Sequence, residues 1–340
     1  MQHQRRNENR REVVVITGAS AGVGRATARA FAREGAQIAL LARGNDGLEG
    51  ACADVEAAGG KALALPTDVA NADEVEAAAE AVEAELGPID VWVNNAIVTV
   101  FSPFSSISAE EYKRVTEVTY LGTVYGTMTA LKRMLPHNKG TIVQVSSALA
   151  YRGIPLQSAY CGAKHAIKGF TDSVRTELMH DKSNIHLTMV QLPALNTPQF
   201  SWAQSHMPYH PQPVPPIYQP EVAAKAIVWA AHHRRREVYV GGPAVATVLI
   251  NKFVPSLVDY YLARTGYGSQ LTDRPVQPGR PSNLFSPAQG DYGAHGIFDS
   301  QSQNKSWHLG AATTLRWPLL PDLIGGLVSA TSMLFSAIRR

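Results

Sequence analysis

Val13-Val14-Val15-Ile16 runs directly into Thr17-Gly18-Ala19-Ser20-Ala21-Gly22-Val23-Gly24, and a helical pattern follows through Ala32. This junction constrains the fold more than any other stretch. An unbroken β-branched run reads as a strand buried on both faces, as in a parallel sheet. Glycines let the backbone turn sharply and approach a phosphate. The helix that follows offers its N-terminal N–H groups and the positive end of its dipole. The spacing is G-x-x-x-G-x-G rather than the commoner G-x-G-x-x-G. It nominates Gly18, Ser20, Ala21, Gly22, Val23 and Gly24 as a pyrophosphate cradle, the plainer alternative being a tight turn without a ligand.

The strand–helix alternation then repeats. Gln37–Leu41, Lys61–Leu65, Asp90–Val93, Gly140–Val145, Ile185–Val190 and Glu237–Val240 read as strands. Helical patterns separate them, including a long one from Glu110 to Leu135 that contains Gly122 and Gly126. Such alternation predicts an α/β fold with a doubly wound, seven-stranded parallel sheet and helices on both faces. In a dinucleotide fold, the end of the second strand meets the adenosine ribose. An acidic residue there bonds the 2′-hydroxyl, whereas an arginine accommodates a 2′-phosphate. Ala42-Arg43 stands at that point, which favours NADP(H) over NAD(H) unless Arg43 is only a solvated loop residue. After the third strand, Asp68-Val69 places a carboxylate where it can accept from an adenine amino group. Its alternative role is capping the helix from Asp73 to Leu86.

Tyr160 and Lys164 lie one helical turn apart, so they share a helix face. A phenol is a weak base at neutral pH, and a neighbouring ammonium pulls its pKa down. The pair can exchange a proton at a reacting oxygen. Alone, such a pair is far more often a packed tyrosine beside a solvated lysine.

In sequence order, T-G-x-x-x-G-x-G, Asn94-Asn95-Ala96, Ser147 and Tyr160/Lys164 resemble the short-chain dehydrogenase/reductase family. The resemblance covers about Val13 to Gly242 and implies a Rossmann-like fold. It also implies that Tyr160 is the general acid in carbonyl reduction and the general base in alcohol oxidation. Lys164 would lower the tyrosine pKa and hold the nicotinamide ribose. Ser147, at the family's usual offset, would bond the substrate oxygen. Asn95, Ala96, Pro193 and Thr197 would complete the cofactor site, and hydride would pass directly without a metal.

Three positions depart from the family pattern. Ile97 replaces the glycine of N-N-A-G, and Ala194 replaces the glycine after Pro193. Thr119 stands where the family has a fourth catalytic residue, an asparagine. That position's main-chain carbonyl holds a water linking the lysine to solvent. A carbonyl survives substitution, while a threonine hydroxyl can bond the i−4 carbonyl and distort the helix. These departures keep a rival reading open: a dinucleotide-binding regulatory or scaffold protein with little or no turnover.

Asn196 to Pro220 is rich in proline and aromatics. It reads as an apolar lid over a hydrophobic carbonyl or alcohol substrate, or as a surface loop of polyproline character. Beyond Gly242, residues 243–263 carry an apolar helical pattern interrupted at Pro255. That extension can pack on the core, dimerise or lie on a membrane. Residues 264–316 are rich in Gly, Pro, Ser and Asn and read as an extended tail or linker. Residues 317–340 are apolar again, but barely reach the ~20 residues of a spanning helix. They suit a surface-anchoring helix, a docked helix or a span.

A net charge of +3 without a concentrated basic face argues against nucleic acid as a partner. The densest basic run, His232 to Arg236, follows a helical pattern and suits a helix C-terminus. Cys52 and Cys161 form neither a disulfide framework nor a metal spacing, so a reducing compartment is expected. Residues 1–11 are polar and read as a disordered arm rather than a secretory signal. The expectation is thus an NADP(H)-dependent oxidoreductase of the cytoplasm, homo-oligomeric by resemblance, with peripheral membrane contact through the C-terminal helix left open.

Overall fold

The computed structural model describes residues 10–277 and 279–314. Seven strands form one parallel sheet: β1 (Val13–Thr17), β2 (Gln37–Ala42), β3 (Lys61–Pro66), β4 (Val91–Asn94), β5 (Thr141–Ser147), β6 (His186–Leu192) and β7 (Glu237–Tyr239). Their order is β7-β6-β5-β4-β1-β2-β3. Val15 pairs with Ala39 on one side and Trp92 on the other. Val13 to Ile16 are fully buried, which is why that run carries no polar alternation. The winding reverses between β1 and β4, and open α/β sheets bind ligands in the crevice above such a point.

The helices are α1 (Gly22–Arg33), α2 (Asn45–Ala57), α3 (Ala72–Leu86), α4 (Ala109–Val115), α5 (Gly122–Met134), α6 (Ser158–His180) and α7 (Pro220–His232). On one sheet face, Phe31 of α1, Val55 of α2 and Ile227 of α7 join a single core with Ile16 and Leu40. On the other, Val82, Met134 and Leu178 pack with Val15 and Trp92. Removing any of these large buried side chains costs about 2–5 kcal/mol by transfer and cavity terms. The long helix expected from Glu110 is present, but a wide π-type turn over Thr116–Leu121 joins α4 to α5. Gly126 leaves no room for a larger residue, since a Cβ there would lie 2.2 Å from Asn94 Oδ1.

Past the sheet, α8 (Gly242–Phe253) and α9 (Pro255–Thr265) meet at Val254, where Pro255 cannot continue the first helix. Residues 264–314 differ from the loose linker that their composition suggests. Leu284 and Phe298 are buried in the domain's apolar clusters. Gly293 accepts a bond from Gly22 N at 3.1 Å, and Gly296 N donates to Asn196 O at 3.2 Å. Leu271–Pro275 pairs with Tyr209–Pro211, and Ser302–Gln303 pairs with Ile217–Tyr218. A segment poor in apolar residues is held here because its few large ones, and its backbone groups, find partners on a preformed surface. α10 (Trp307–Thr314) ends the described chain, with Leu309 in the core. Most of the expected N-terminal arm and the whole apolar segment 317–340 lie outside the described residues.

Candidate active site

Gly18 and Gly22 adopt φ values of +66° and +56°, in the left-handed region that favours glycine. Gly24 is required by crowding: a Cβ would lie 2.2 Å from Gly18 O. Asn95 braces this turn, donating from Nδ2 to Thr17 O at 2.9 Å and Gly18 O at 3.2 Å. Thr17 Oγ1 accepts from the Asn95 and Ala96 N–H groups at 2.9 and 3.0 Å. α1 then starts after an extended Ala21 with no side-chain cap. A helix start of this kind presents N–H groups to whatever lies beside it.

Beside it runs a cavity of about 600 Å³. Arg43, Asp68 and Val69 line one end. Ser20, Ala21, Gly22, Val23 and Ala96 line the middle, together with Pro193 and Thr197. Ser147, Tyr160 and Lys164 line the other end. The structure therefore brings all of these nominated residues to one space. A glycine turn with no room for side chains, leading into a helix start, fits a dinucleotide's pyrophosphate, although the first N–H of α1 is taken by Gly293 O.

Neither nominated group at the Arg43 end of the cavity is a bare surface residue. The Arg43 guanidinium donates to the Asn283 carbonyl, and also to those of Leu284 and Phe285 at 3.3 and 3.2 Å. Burial lowers its pKa, Arg114 lowers it further, and Asp68 opposes both. The Asp68 carboxylate pairs with Arg114 and accepts from Ala70 N at 3.0 Å. It does not cap α3. Asn71 does so, accepting from Asp73 N and Glu74 N.

At the opposite end, Lys164 is 2% exposed and donates to Val145 O at 2.7 Å. Burial pulls its pKa down to about 7. Its Nζ lies 5.6 Å from the centre of the Tyr160 ring. The expected lowering of the tyrosine pKa is not what the chain shows. Burial raises the phenol above its ordinary value, and the Cys161 thiol adds to the rise. A hydrogen bond with the Ser147 hydroxyl opposes both. Desolvation wins because Lys164 is itself buried and directed at a carbonyl. Ser147 Oγ also accepts from Leu149 N at 3.2 Å, which fixes the turn after β5. Its neighbour Ser146 is buried, lines the cavity and has a hydroxyl with no hydrogen-bond partner among the described residues.

Thr119 lies apart from this group. It is fully buried, and Val118 of the same turn lines the cavity. Its hydroxyl does not fold back on the i−4 carbonyl. It donates to Val98 O at 3.0 Å and accepts from Val98 N at 3.2 Å. The Thr119 carbonyl accepts from Thr123 Oγ1 at 3.0 Å. The local distortion is therefore present as the π-type turn, with a different set of bonds. Ile97 lines the cavity without displacing Ala96 from Thr17.

Several site groups have no signal in sequence motifs. Arg114 reaches Asp68 from α4 without itself lining the cavity. Tail residues Asn283, Ala288 and Tyr292 line the same cavity. At the far end, Ile250 of α8, with Val258 and Leu262 of α9, forms a wall with Phe200. The lid segment 196–220 is anchored rather than free. Phe200 and Ile217 are buried against Phe101 and Phe298.

Sheet order, glycine turn and cavity define a nucleotide-binding α/β protein. The chain belongs to the short-chain dehydrogenase family, whose model, described as short chain dehydrogenase, matches residues 12–207. It is 33% identical over 300 residues to the oxidoreductase YxnA of Bacillus subtilis, spanning 87% of this chain and 82% of that one. That alignment is long enough to include part of the C-terminal extension. Ketoacyl reductase HetN of Nostoc is 34% identical over 174 residues, 51% of this chain and 61% of its own. Dehydrogenase/reductase SDR family member 7C of Rattus norvegicus is 29% identical over 255 residues, 72% of this chain and 82% of its own. The chain is thus an oxidoreductase of a family that works by hydride transfer with NAD(H) or NADP(H).

Proposed function

We propose that this protein reduces an apolar ketone or aldehyde with NADPH, or oxidises the matching secondary alcohol, with Tyr160 as the acid/base. The observation that carries the reading is the convergence of Ser147, Tyr160 and Lys164 on the cavity that also faces the glycine turn. Gly18 to Gly24 would hold the pyrophosphate, Lys164 the nicotinamide ribose, and Asn95 and Ala96 the intervening wall. When bound, the nicotinamide supplies or accepts the hydride.

Ser147 Oγ donates to the substrate oxygen and holds it beside the Tyr160 hydroxyl. In reduction, Tyr160 passes its proton to that oxygen as charge develops there. A phenol held above its ordinary pKa carries its proton at neutral pH, which is the form this direction needs. Lys164, poised near neutrality, then returns a proton to Tyr160. By the family pattern the link from Lys164 to solvent would run through the Thr119 carbonyl, which here already accepts from Thr123 Oγ1. Leu149, Ile154, Phe200, Val258 and Leu262 give the substrate end its apolar character. At the adenosine end, Ala42 replaces an acidic residue, and two arginines share one aspartate. That balance favours a 2′-phosphate.

The engaged Thr119 carbonyl also motivates the rival reading, a dinucleotide-binding protein without turnover. Hydride transfer with a panel of ketones and alcohols separates the two, using wild type and Tyr160→Phe. Turnover by wild type alone supports the enzyme. If both proteins bind NADPH and neither turns over any substrate, the binding-protein reading replaces it. Assembly into a homo-oligomer follows from family habit. Membrane contact would run through residues 317–340 and the exposed Phe253, Leu257 and Tyr261. No described helix is long and apolar enough to cross a membrane.

A further inference from the structure

Residues 280–299 run along the cavity, attached partly to residues that line it and partly to residues beyond it. Arg280 donates to the Phe200 and Ala203 carbonyls of the lid. Leu284 is fully buried in the core. Asp291 pairs with Arg25 of α1, and Gly290 N donates to Asp46 at 2.8 Å. Gly293 O takes the first N–H of α1. Phe298 N donates to the fully buried Asn196, whose Nδ2 donates to Gln219 and Asp299. Between these anchors, Asn283, Pro287, Ala288, Gly290 and Tyr292 face the same space as Gly18, Arg43 and Asp68. The segment roofs the groove and leaves the space beneath it open.

Two details tie the roof to a nucleotide. The Asn283, Leu284 and Phe285 carbonyls all bond Arg43, and the Leu284 carbonyl also accepts from Arg114 Nε at 3.1 Å. A guanidinium carries more donors than these bonds use, so the carbonyls fix the plane of Arg43 and leave N–H groups for an anion. The side-chain oxygen of Asn283 is buried and has no hydrogen-bond partner among the described residues. A buried acceptor of that kind calls for a donor from a ligand or water.

We propose that this strap is part of the cofactor site: it encloses the adenosine half of the dinucleotide and, braced by Arg114, holds Arg43 for the ribose 2′-phosphate. The inference rests on the NADP(H) reading. Arg43 is the residue that touches the phosphate, and the strap carbonyls are positioning groups. Cofactor exchange then requires the strap to lift.

The test uses the full chain and binding, not turnover. Asp291→Ala and Arg280→Ala, singly and together, cut two clips that do not line the cavity. Titration with 2′,5′-ADP and 5′-AMP isolates the adenosine end, and stopped-flow fluorescence gives the NADPH release rate. Circular dichroism melts confirm that each variant is folded. In the double variant, 2′,5′-ADP binding weakens about tenfold, as expected for one misaligned charge-assisted contact. Binding of 5′-AMP changes much less, and NADPH leaves faster. Unchanged binding and release in a folded double variant overturn the proposal. Equal weakening of both fragments overturns the positioning of Arg43. Wild type that binds both fragments alike removes the NADP(H) reading and this inference together. Wild type that prefers 2′,5′-ADP while the variants match it removes the strap alone.

Discussion

Replacing Lys164 by methionine should make the cofactor-free protein's stability depend on pH in a defined way. Lys164 is buried, and its pKa falls from 10.5 to about 7 in the folded chain. Below about pH 7 the lysine is charged in both folded and unfolded states, and the stability gap between wild type and Lys164→Met is flat. Above that point the folded lysine is neutral while the unfolded one still holds its proton. Unfolding then takes up a proton, so wild type gains stability relative to the variant as pH rises towards 10.5. Each pKa unit corresponds to about 1.4 kcal/mol, so, with the lysine half titrated at about pH 7, the gap should move by about 2 kcal/mol between about pH 7 and about pH 9. Urea unfolding of both proteins across that range measures it. Other titrating groups are common to both chains and largely cancel in the difference. A gap that stays constant refutes the reasoning. It would mean that the Val145 carbonyl compensates the buried ammonium and that Lys164 is not poised near neutrality.

Other outcomes follow from the same geometry. Tyr160→Phe should lower turnover by about 10²–10⁴-fold while leaving the NADPH dissociation constant nearly unchanged, as read by kinetics and fluorescence titration. Gly24→Ala places a Cβ 2.2 Å from Gly18 O. Thermal unfolding should show a loss of about 1–3 kcal/mol, and cofactor titration a marked loss of affinity. Arg43→Ala should weaken NADPH at least about tenfold more than NADH, and equal losses in parallel titrations would sink its assignment to the 2′-phosphate. Liposome flotation should recover the full chain but not a chain ending before residue 317, and no difference between them removes the anchoring role.

Much of this arrangement is legible in the order of residues along the chain, for identifiable reasons. Val13 to Ile16 lack polar alternation because both sheet faces are covered, and the glycine turn follows from crowding around Gly24. Ser147, Tyr160 and Lys164 are short-range features of β5 and α6, so their order along the chain carries over to their meeting in space. The features that are not legible depend on distant packing. Arg114 of α4 meets Asp68, 46 residues away in the chain, through tertiary packing that no local pattern marks. Residues 280–299 have a linker's composition, and nothing local marks Leu284 as a core residue. The direction of the Tyr160 shift is also beyond pairwise reasoning. An ammonium one turn away predicts a lowered phenol pKa, but burial of the whole pair outweighs that attraction.

The C-terminal extension lines one cavity with two separate stretches. α8 and α9 bring Ile250, Val258 and Leu262 to the substrate end, while the strap brings Asn283 and Tyr292 to the cofactor end. Between them in the chain lies Gln270, which is almost fully buried. Its side chain accepts from Gln157 Nε2 at 2.7 Å and donates to the Pro155 carbonyl at 2.9 Å, just ahead of the Tyr160 helix. The next residues, Leu271–Pro275, pair with the lid strand Tyr209–Pro211, and Arg280 then clips the strap to the same lid. These attachments predict that lifting the strap pulls on the lid. Gln270→Ala should expose that coupling. It leaves the Gln157 amide and the Pro155 carbonyl without a partner, a loss of about 1–3 kcal/mol for buried polar groups. If the two ends are mechanically joined, NADPH release should quicken in this variant although Gln270 lies at the substrate end. If release is unchanged while the substrate KM rises, the two halves of the extension act independently.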